Sequence, residues 1–329
     1  MATTSSPPAT AGPGAPPRSG GLLQQLDWRR YVIYIGFVVV FAAFAITLGD
    51  DGFLSTNNLL NIVRQSAIIA IIAVGMTYVI ACAQIDLSVG STAGLASVVT
   101  AMAISSYGVV AGIAAGLLVG LVVGCINGAL VSMLNIPSFL VTLGMLGIAV
   151  GVAQWITDSA PQPILEPTYN LVFGGGNFGP VPGLLVWMAV VVAVGAVGLS
   201  KTRFGRQVLA TGGNRTVADF TGVNTRRVTF QELVISSVLA ALAGMLYAGR
   251  LESGRFQWGS GDELSAIAAV ILGGTSLFGG SGAVVGTFVG ALLIGLINNG
   301  LVLAGLDTSQ QQVVRGVIII LAVALARRK

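Results

Sequence analysis

Between Arg64 and Asp158 the chain carries one charged residue, Asp86, and from Leu87 to Thr157 it carries none. A soluble domain could not cover its surface with so little polarity. Helices that cross a bilayer can be built this way, because each needs about 20 consecutive apolar residues. The whole chain has the same character: 9% of its 329 residues are charged and 54% are apolar, against roughly 25% charged in soluble proteins. The fold class that follows is all-α, a polytopic membrane helical bundle of about ten spans with broken or re-entrant helices.

Apolar runs occur at 31–48, 66–82, 87–105, 109–131, 138–157, 183–199, 229–248, 264–277, 284–305 and 311–326. The run 264–277 is short, and a re-entrant path suits it as well as a crossing. Residues 1–20 are rich in Pro, Ala, Ser, Thr and Gly, a composition that cannot build a core. The expected organisation is a disordered cytoplasmic tail over 1–28 and a transmembrane domain over 29–327, with a cytoplasmic loop at 201–228. Orientation follows from Lys and Arg, which collect on the cytoplasmic side. Ten crossings place Arg18, Arg29, Arg30, Lys201, Arg203, Arg206, Arg215, Arg226, Arg227, Arg327, Arg328 and Lys329 on one side. They place Asp50, Asp51, Asp158, Glu166, Glu252, Asp262, Glu263 and Asp307 on the other. Both termini are then cytoplasmic and the protein is a multi-pass component of the bacterial plasma (inner) membrane.

Several chemistries are excluded early. The chain has no His, which removes a His-based proton relay, a zinc site of that type and a catalytic triad. Cys82 and Cys125 lie in apolar runs and read as small core residues rather than metal ligands. The net charge of +4 reflects topology, so no nucleic-acid partner is expected. The 46 glycines, many inside apolar runs, suit helices that approach closely in a membrane.

Asp86 sits in Ile85-Asp86-Leu87-Ser88-Val89-Gly90-Ser91, between the second and third spans. A carboxylate there could bind a cation or sugar hydroxyls, since intramembrane acids are often functional. It could instead cap the next helix by accepting backbone N–H groups, and the lack of a basic partner favours the cap. In the 201–228 loop, Asn214 can begin a short helix and Gly222 can end it. Val217, Ala218 and Phe220 would supply its apolar side, a suitable docking element for another protein. An anchor on anionic lipid is the other reading, and the length and two-ended capping favour docking.

Residues 273–282, Gly273-Gly274-Thr275-Ser276-Leu277-Phe278-Gly279-Gly280-Ser281-Gly282, look like a phosphate loop. They lack the Lys and the spacing such a loop needs, and a break between two helices fits better. Asn298 and Asn299 interrupt an apolar helix, where buried amides must bridge helices or line a pore. Ala67-Ile68-Ile69-Ala70 leading to Gly75-Met76-Thr77 is echoed by Ala266-Ile267-Ala268-Ala269 leading to Gly273-Gly274-Thr275. Paired interrupted segments of this kind point to a transport pathway. Candidates for the pathway or the breaks are Asp86, Ser88, Thr142, Gly273, Gly274, Thr275, Asn298 and Asn299.

Asn57-Asn58-Leu59-Leu60-Asn61-Ile62, Ala73-Val74-Gly75-Met76-Thr77, Ile85 to Ser91, Phe139-Leu140-Val141-Thr142-Leu143-Gly144, Gly212-Gly213-Asn214 and Glu263 to Ser276 occur in that order. Together they resemble the permease subunits of ATP-binding-cassette sugar importers of the ribose/xylose/galactoside branch, over about residues 55–326. The wider family also holds branched-chain amino-acid permeases. The resemblance implies a homodimer of permeases, a cytoplasmic ATPase that carries ATP and Mg, and a periplasmic or lipid-anchored sugar-binding protein. No cofactor and no catalytic residue are expected on this chain. It also implies that Gly212, Gly213, Asn214, Val217, Ala218, Phe220 and Gly222 couple to the ATPase. Gln84 departs from the pattern, since many relatives have Gly there.

The function expected is the membrane subunit of an ATP-driven importer of a monosaccharide or similar neutral polyol. A branched-chain amino-acid permease is the alternative. An ion-coupled carrier would need membrane-embedded carboxylates, and Asp86 is the one noted for that role. A membrane enzyme is disfavoured by the lack of His and of clustered acids in the spans.

Overall fold

The computed structural model describes residues 28–178 and 181–326. Except for Trp28, the tail expected over 1–28 lies outside them, as do Arg327, Arg328 and Lys329. The helices are α1 (Trp28–Thr47), α2 (Thr56–Ala81), α3 (Val89–Tyr107), α4 (Val109–Ser132) and α5 (Ser138–Thr157). A short strand β1 (Gln162–Pro163), α6 (Pro167–Phe173), β2 (Asn177–Phe178) and β3 (Val181–Pro182) follow, then α7 (Gly183–Lys201). Next come α8 (Arg203–Gly213), α9 (Arg215–Phe220), α10 (Thr225–Arg250) and β4 (Ser253–Gly254). The chain closes with α11 (Asp262–Leu272), α12 (Val284–Leu303) and α13 (Thr308–Ala326).

The protein is thus an all-α polytopic bundle. Among the described residues, seven helices, α2, α3, α4, α5, α7, α10 and α12, are long and apolar enough to cross a membrane. Each of the ten apolar runs meets a helix. The run 264–277 is the exception in extent, because α11 stops at Leu272. Its eleven residues rise about 16 Å, roughly half of a hydrocarbon core of about 30 Å.

Helix ends are set by caps, and the apolar runs missed some of them. α2 begins ten residues ahead of the apolar run because Ser55 accepts the Asn58 N–H at 3.3 Å. Its first turns are polar and partly exposed, while Ser66 to Ala81 is buried on every side. α2 and α10 form the centre of the bundle, and the main core gathers Ile68, Ile71, Met76, Leu233, Met245 and Leu246.

Glycine sets how closely the central helices meet. Gly112, Gly116, Gly120, Gly124 and Gly128 recur every fourth residue of α4, so they form one stripe. A Cβ at these positions would collide with Ile104, Thr100 and Met245, Ala241, Val234 and Phe230 in turn. Those neighbours belong to α3 and α10. With no hydrophobic force between helices in lipid, such close backbone approach is a main source of packing energy.

Residues 158–178 and 181–182, unassigned by hydropathy, lie at the end of the bundle away from α8 and α9. β1 pairs antiparallel with β4, and β2 with β3. Tyr169 of α6 is fully buried, donates to the Met245 carbonyl at 2.9 Å and stacks on Phe173, which stacks on Trp187. Burial holds the Tyr169 phenol well above its usual ionisation range.

Candidate functional site

Two interruptions and one helical elbow, α8 and α9, meet in this fold. The first interruption, residues 82–88, separates α2 from α3. Ala83 takes the left-handed conformation at φ 61°, so the turn is made one residue before Gln84, where the family's usual glycine was missed. Backbone groups freed inside a bundle must find partners, and here α5 supplies them. The Ser138 hydroxyl accepts the Ile85 N–H at 3.1 Å. The Thr142 hydroxyl accepts the Leu87 N–H at 3.1 Å and lies 3.3 Å from the Ile85 carbonyl. The spacing explains the match. Hydroxyls one turn apart on a helix are about 6 Å apart, and alternate residues of an extended chain about 6.8 Å. One face of α5 therefore substitutes for a neighbouring strand.

Asp86 is fully buried at the middle of this break. Its Oδ1 accepts from the Ser88 N–H at 2.9 Å and the Ser88 hydroxyl at 2.6 Å, and its Oδ2 accepts from the Ser236 hydroxyl at 3.0 Å. The Asn127 amide on α4 donates to the Ser88 hydroxyl at 3.0 Å. Asp86 thus ties the start of α3 to α10 and, through Ser88, to α4. Ser236 is about 16 Å along α10 from its start, so the carboxylate lies within the bundle rather than at its mouth.

Asp86 is not the only buried acid. Glu232, one turn before Ser236 on α10, is also fully buried, which corrects the reading that Asp86 alone offers an embedded carboxylate. Its signal was present, since it lies in the apolar run 229–248. It was overlooked because it follows Arg226 and Arg227 so closely that it reads as the edge of a charged loop. Ser138, Asn127 and Ser236 were missed as well. Single polar residues in apolar helices were the available signal, but nothing local says which of them meet.

The elbow is built from two capped helices. Thr202 accepts the Gly205 N–H at 3.1 Å to start α8, and Asn214 accepts the Val217 N–H at 3.0 Å to start α9. Gly222, at φ +86°, ends the second turn. Val217 and Phe220, three residues apart, project from one face and are 56% and 88% exposed. Ala218 does not share that face. It is buried, because the helical repeat turns it back toward α10, so it anchors α9 rather than extending its apolar surface.

The second interruption, residues 273–283, separates α11 from α12. Thr275 accepts the Ala283 N–H at 3.1 Å and so closes the loop on itself. A Cβ on Gly273 would collide with the Gly286 and Thr287 backbone, which lets α11 end directly against α12. Gly274 follows at φ +91°. The far end of the loop lies on the elbow: a Cβ on Gly279 would meet the Gly212 carbonyl at 2.6 Å and Ala83 at 2.7 Å. A Cβ on Gly280 would meet Gly213 at 2.9 Å. The Gly280 N–H donates to the Ala81 carbonyl at 3.0 Å, and Gly212 packs on that same carbonyl. The ends of both interruptions and the Gly212-Gly213-Asn214 turn therefore meet in one backbone junction.

The remaining candidates separate from this cluster. Asn299 and Asn58 exchange amide hydrogen bonds at 2.8 and 3.0 Å, joining α12 to α2. Asn298 is buried next to it. Thr77 and Thr287 share a hydrogen bond at 2.9 Å nearer the junction.

This arrangement of broken helices beside a capped helical elbow agrees with comparison to known proteins. The family described as branched-chain amino acid transport system / permease component matches residues 58–323. The chain belongs to this permease family. The permease is 43% identical over 297 residues to the Probable ABC transporter permease protein YphD of Escherichia coli (strain K12), covering 89% of each chain. It is 41% identical over 286 residues to the Ribose import permease protein RbsC of Bacillus subtilis (strain 168), covering 86% of this chain and 89% of the other. It is 36% identical over 306 residues to the D-allose transport system permease protein AlsC of Escherichia coli (strain K12), covering 92% and 93%. No solved structure matches it. The permease is a multi-pass inner-membrane protein and a transport subunit, and its family implies association with an ATPase and a substrate-binding protein.

Proposed function

We propose that this chain is the membrane subunit of an ATP-driven importer that carries a monosaccharide or similar neutral polyol. Two copies form the pathway, and ten crossings leave both termini in the cytoplasm. A separate ATPase holds ATP and Mg, and an external binding protein delivers the solute. The relatives named for ribose and allose support the solute class. Among the described residues the buried polar side chains are neutral apart from three acids, Asp86, Glu232 and Asp262, which suits an uncharged solute.

The observation that carries the coupling is the junction beneath the bundle. Val217 and Phe220 present an apolar face outward, while Gly212 and Gly213, at the joint between α8 and α9, touch both helix interruptions through backbone. A push on α9 is passed through α8 to the ends of α2 and of the 273–283 loop. ATP must then bind the closed ATPase pair more tightly than the open one, since a ligand shifts an equilibrium only by its difference in affinity.

The test is co-purification and uptake with the Phe220→Asp and Val217→Asp variants. Both should insert normally, lose the ATPase during purification and lose uptake. Unchanged association would refute the docking role. Uptake that survives ATP depletion and collapses with a protonophore would replace the importer by an ion-coupled carrier.

A further inference from the structure

Glu232 has no part in the coupling described above, and its carboxyl is costly to bury. It is fully buried, and neither carboxyl oxygen has a hydrogen-bond partner. An isolated ionised carboxylate cannot be held in such a place at tolerable cost. Its neighbours do not offset the charge. One turn along α10, Ser236 gives its hydroxyl to Asp86, and Asp86 acts on Glu232 with a like charge. Cys82 and Thr229 lie on the cytoplasmic side of it. Arg215 reaches Cys82 with its field, but no basic group among the described residues acts on Glu232 or Asp86.

A second observation comes from α4. Gly128 packs on Phe230 and Gly124 on Val234, so Asn127 between them lies level with Glu232. Asn127 is fully buried, gives its NH2 to Ser88, and leaves its carbonyl oxygen Oδ1 without a partner. The Oδ1 atom can only accept a hydrogen bond. The unpartnered polar atoms beside the two acids are Asn127 Oδ1, which only accepts, and the Thr229 hydroxyl, one turn before Glu232. Neither brings a positive charge, so a neutral hydroxyl is the most that could meet an ionised Glu232. The two acids are also unequal, because all three donors point at Asp86 and none at Glu232. Like-charged carboxyls in one dry site resolve this by sharing a single proton.

We propose that the Asp86–Glu232 pair is a proton-binding site inside the permease. Asp86 keeps the negative charge. Glu232 takes one proton from hydronium, leaving water and forming an O–H bond on its carboxyl; when the 82–88 break opens that bond breaks and the proton returns to water as hydronium. This assignment holds whatever solute the permease carries.

The test is infrared spectroscopy of the full-length permease in lipid nanodiscs at neutral pH. The wild type should show a protonated-carboxyl C=O stretch that shifts down in D2O. Glu232→Gln should lose that band while keeping the wild-type thermal midpoint, and Asp86→Asn should retain it. Should Glu232→Gln fail to fold, Glu232→Asp decides, because it should move the band rather than abolish it. A wild type without the band, or a band unchanged in both Glu232 variants, overturns the proposal. A missing band together with a sodium-dependent stabilisation lost in Glu232→Gln would also overturn it, in favour of a monovalent cation.

Discussion

The 82–88 interruption is held by side chains, and the 273–283 interruption is held by backbone. In the first, Ser138, Thr142, Asp86 and Ser236 supply the partners. In the second, glycines let three chain segments touch, and Thr275 is the main side chain to take part. Both meet the same demand, that no polar backbone group be stranded in a bundle. The difference lies in how they can move. Hydrogen bonds from side chains can be exchanged one at a time, whereas a glycine contact is a matter of shape and transmits displacement directly. The side-chain break is suited to a gate and the glycine break to a lever against the elbow.

The contrast can be broken most severely at Gly279. A valine there would need φ +81° and would drive its Cβ into Gly212 and Ala83. Strain and overpacking together should cost about 4 kcal/mol, read as loss of monodisperse protein in detergent. A Gly279→Val variant with a wild-type melting midpoint would show that the second break does not depend on backbone contact.

Asp86 is the corresponding point of the first break. Asp86→Ala strands the Ser88 N–H, the Ser88 hydroxyl and the Ser236 hydroxyl, and should cost about 3 kcal/mol. Asp86→Asn keeps an acceptor and should cost about 1 kcal/mol. Equal losses for the two variants would mean that charge, not hydrogen bonding, holds α3 in place.

Smaller effects sharpen the comparison further. Thr142→Val removes the partner of Leu87 and should destabilise by about 1–2 kcal/mol, while Thr142→Ser should be close to neutral. A neutral valine variant would deny α5 its role as a substitute strand. Glu232→Gln should shift stability least, within about 0.5 kcal/mol, because a neutral amide replaces an acid that already carries its proton. A large gain in the thermal midpoint would instead reveal that an ionised carboxylate had been removed.

Much of this was legible before the fold. The uncharged stretch from Leu87 to Thr157 and the ten apolar runs made the chain a helical membrane bundle, because hydrocarbon admits little else. Asn214 and Gly222 marked the ends of a short helix by local chemistry alone. The ordered motifs pointed to the permease family. The direction of Ala218 was misjudged because an apolar residue on a six-residue helix says nothing about which face is covered.

What the sequence determined by itself was therefore local: span lengths, caps, turns and the scarcity of charge. These follow from propensity and from the solvent, and each residue carries its own share of them. The tertiary structure alone decided which polar residues meet. Asp86 finds Ser236 across 150 positions, Ile85 finds Ser138 across 53, and Gly279 finds Gly212. No local rule contains those pairings, because they are set by how the helices pack, in part by the close approach that the glycine stripe of α4 allows to α3 and α10. The second buried acid, Glu232, gained its significance only there, where burial and the charge of Asp86 act on it at once.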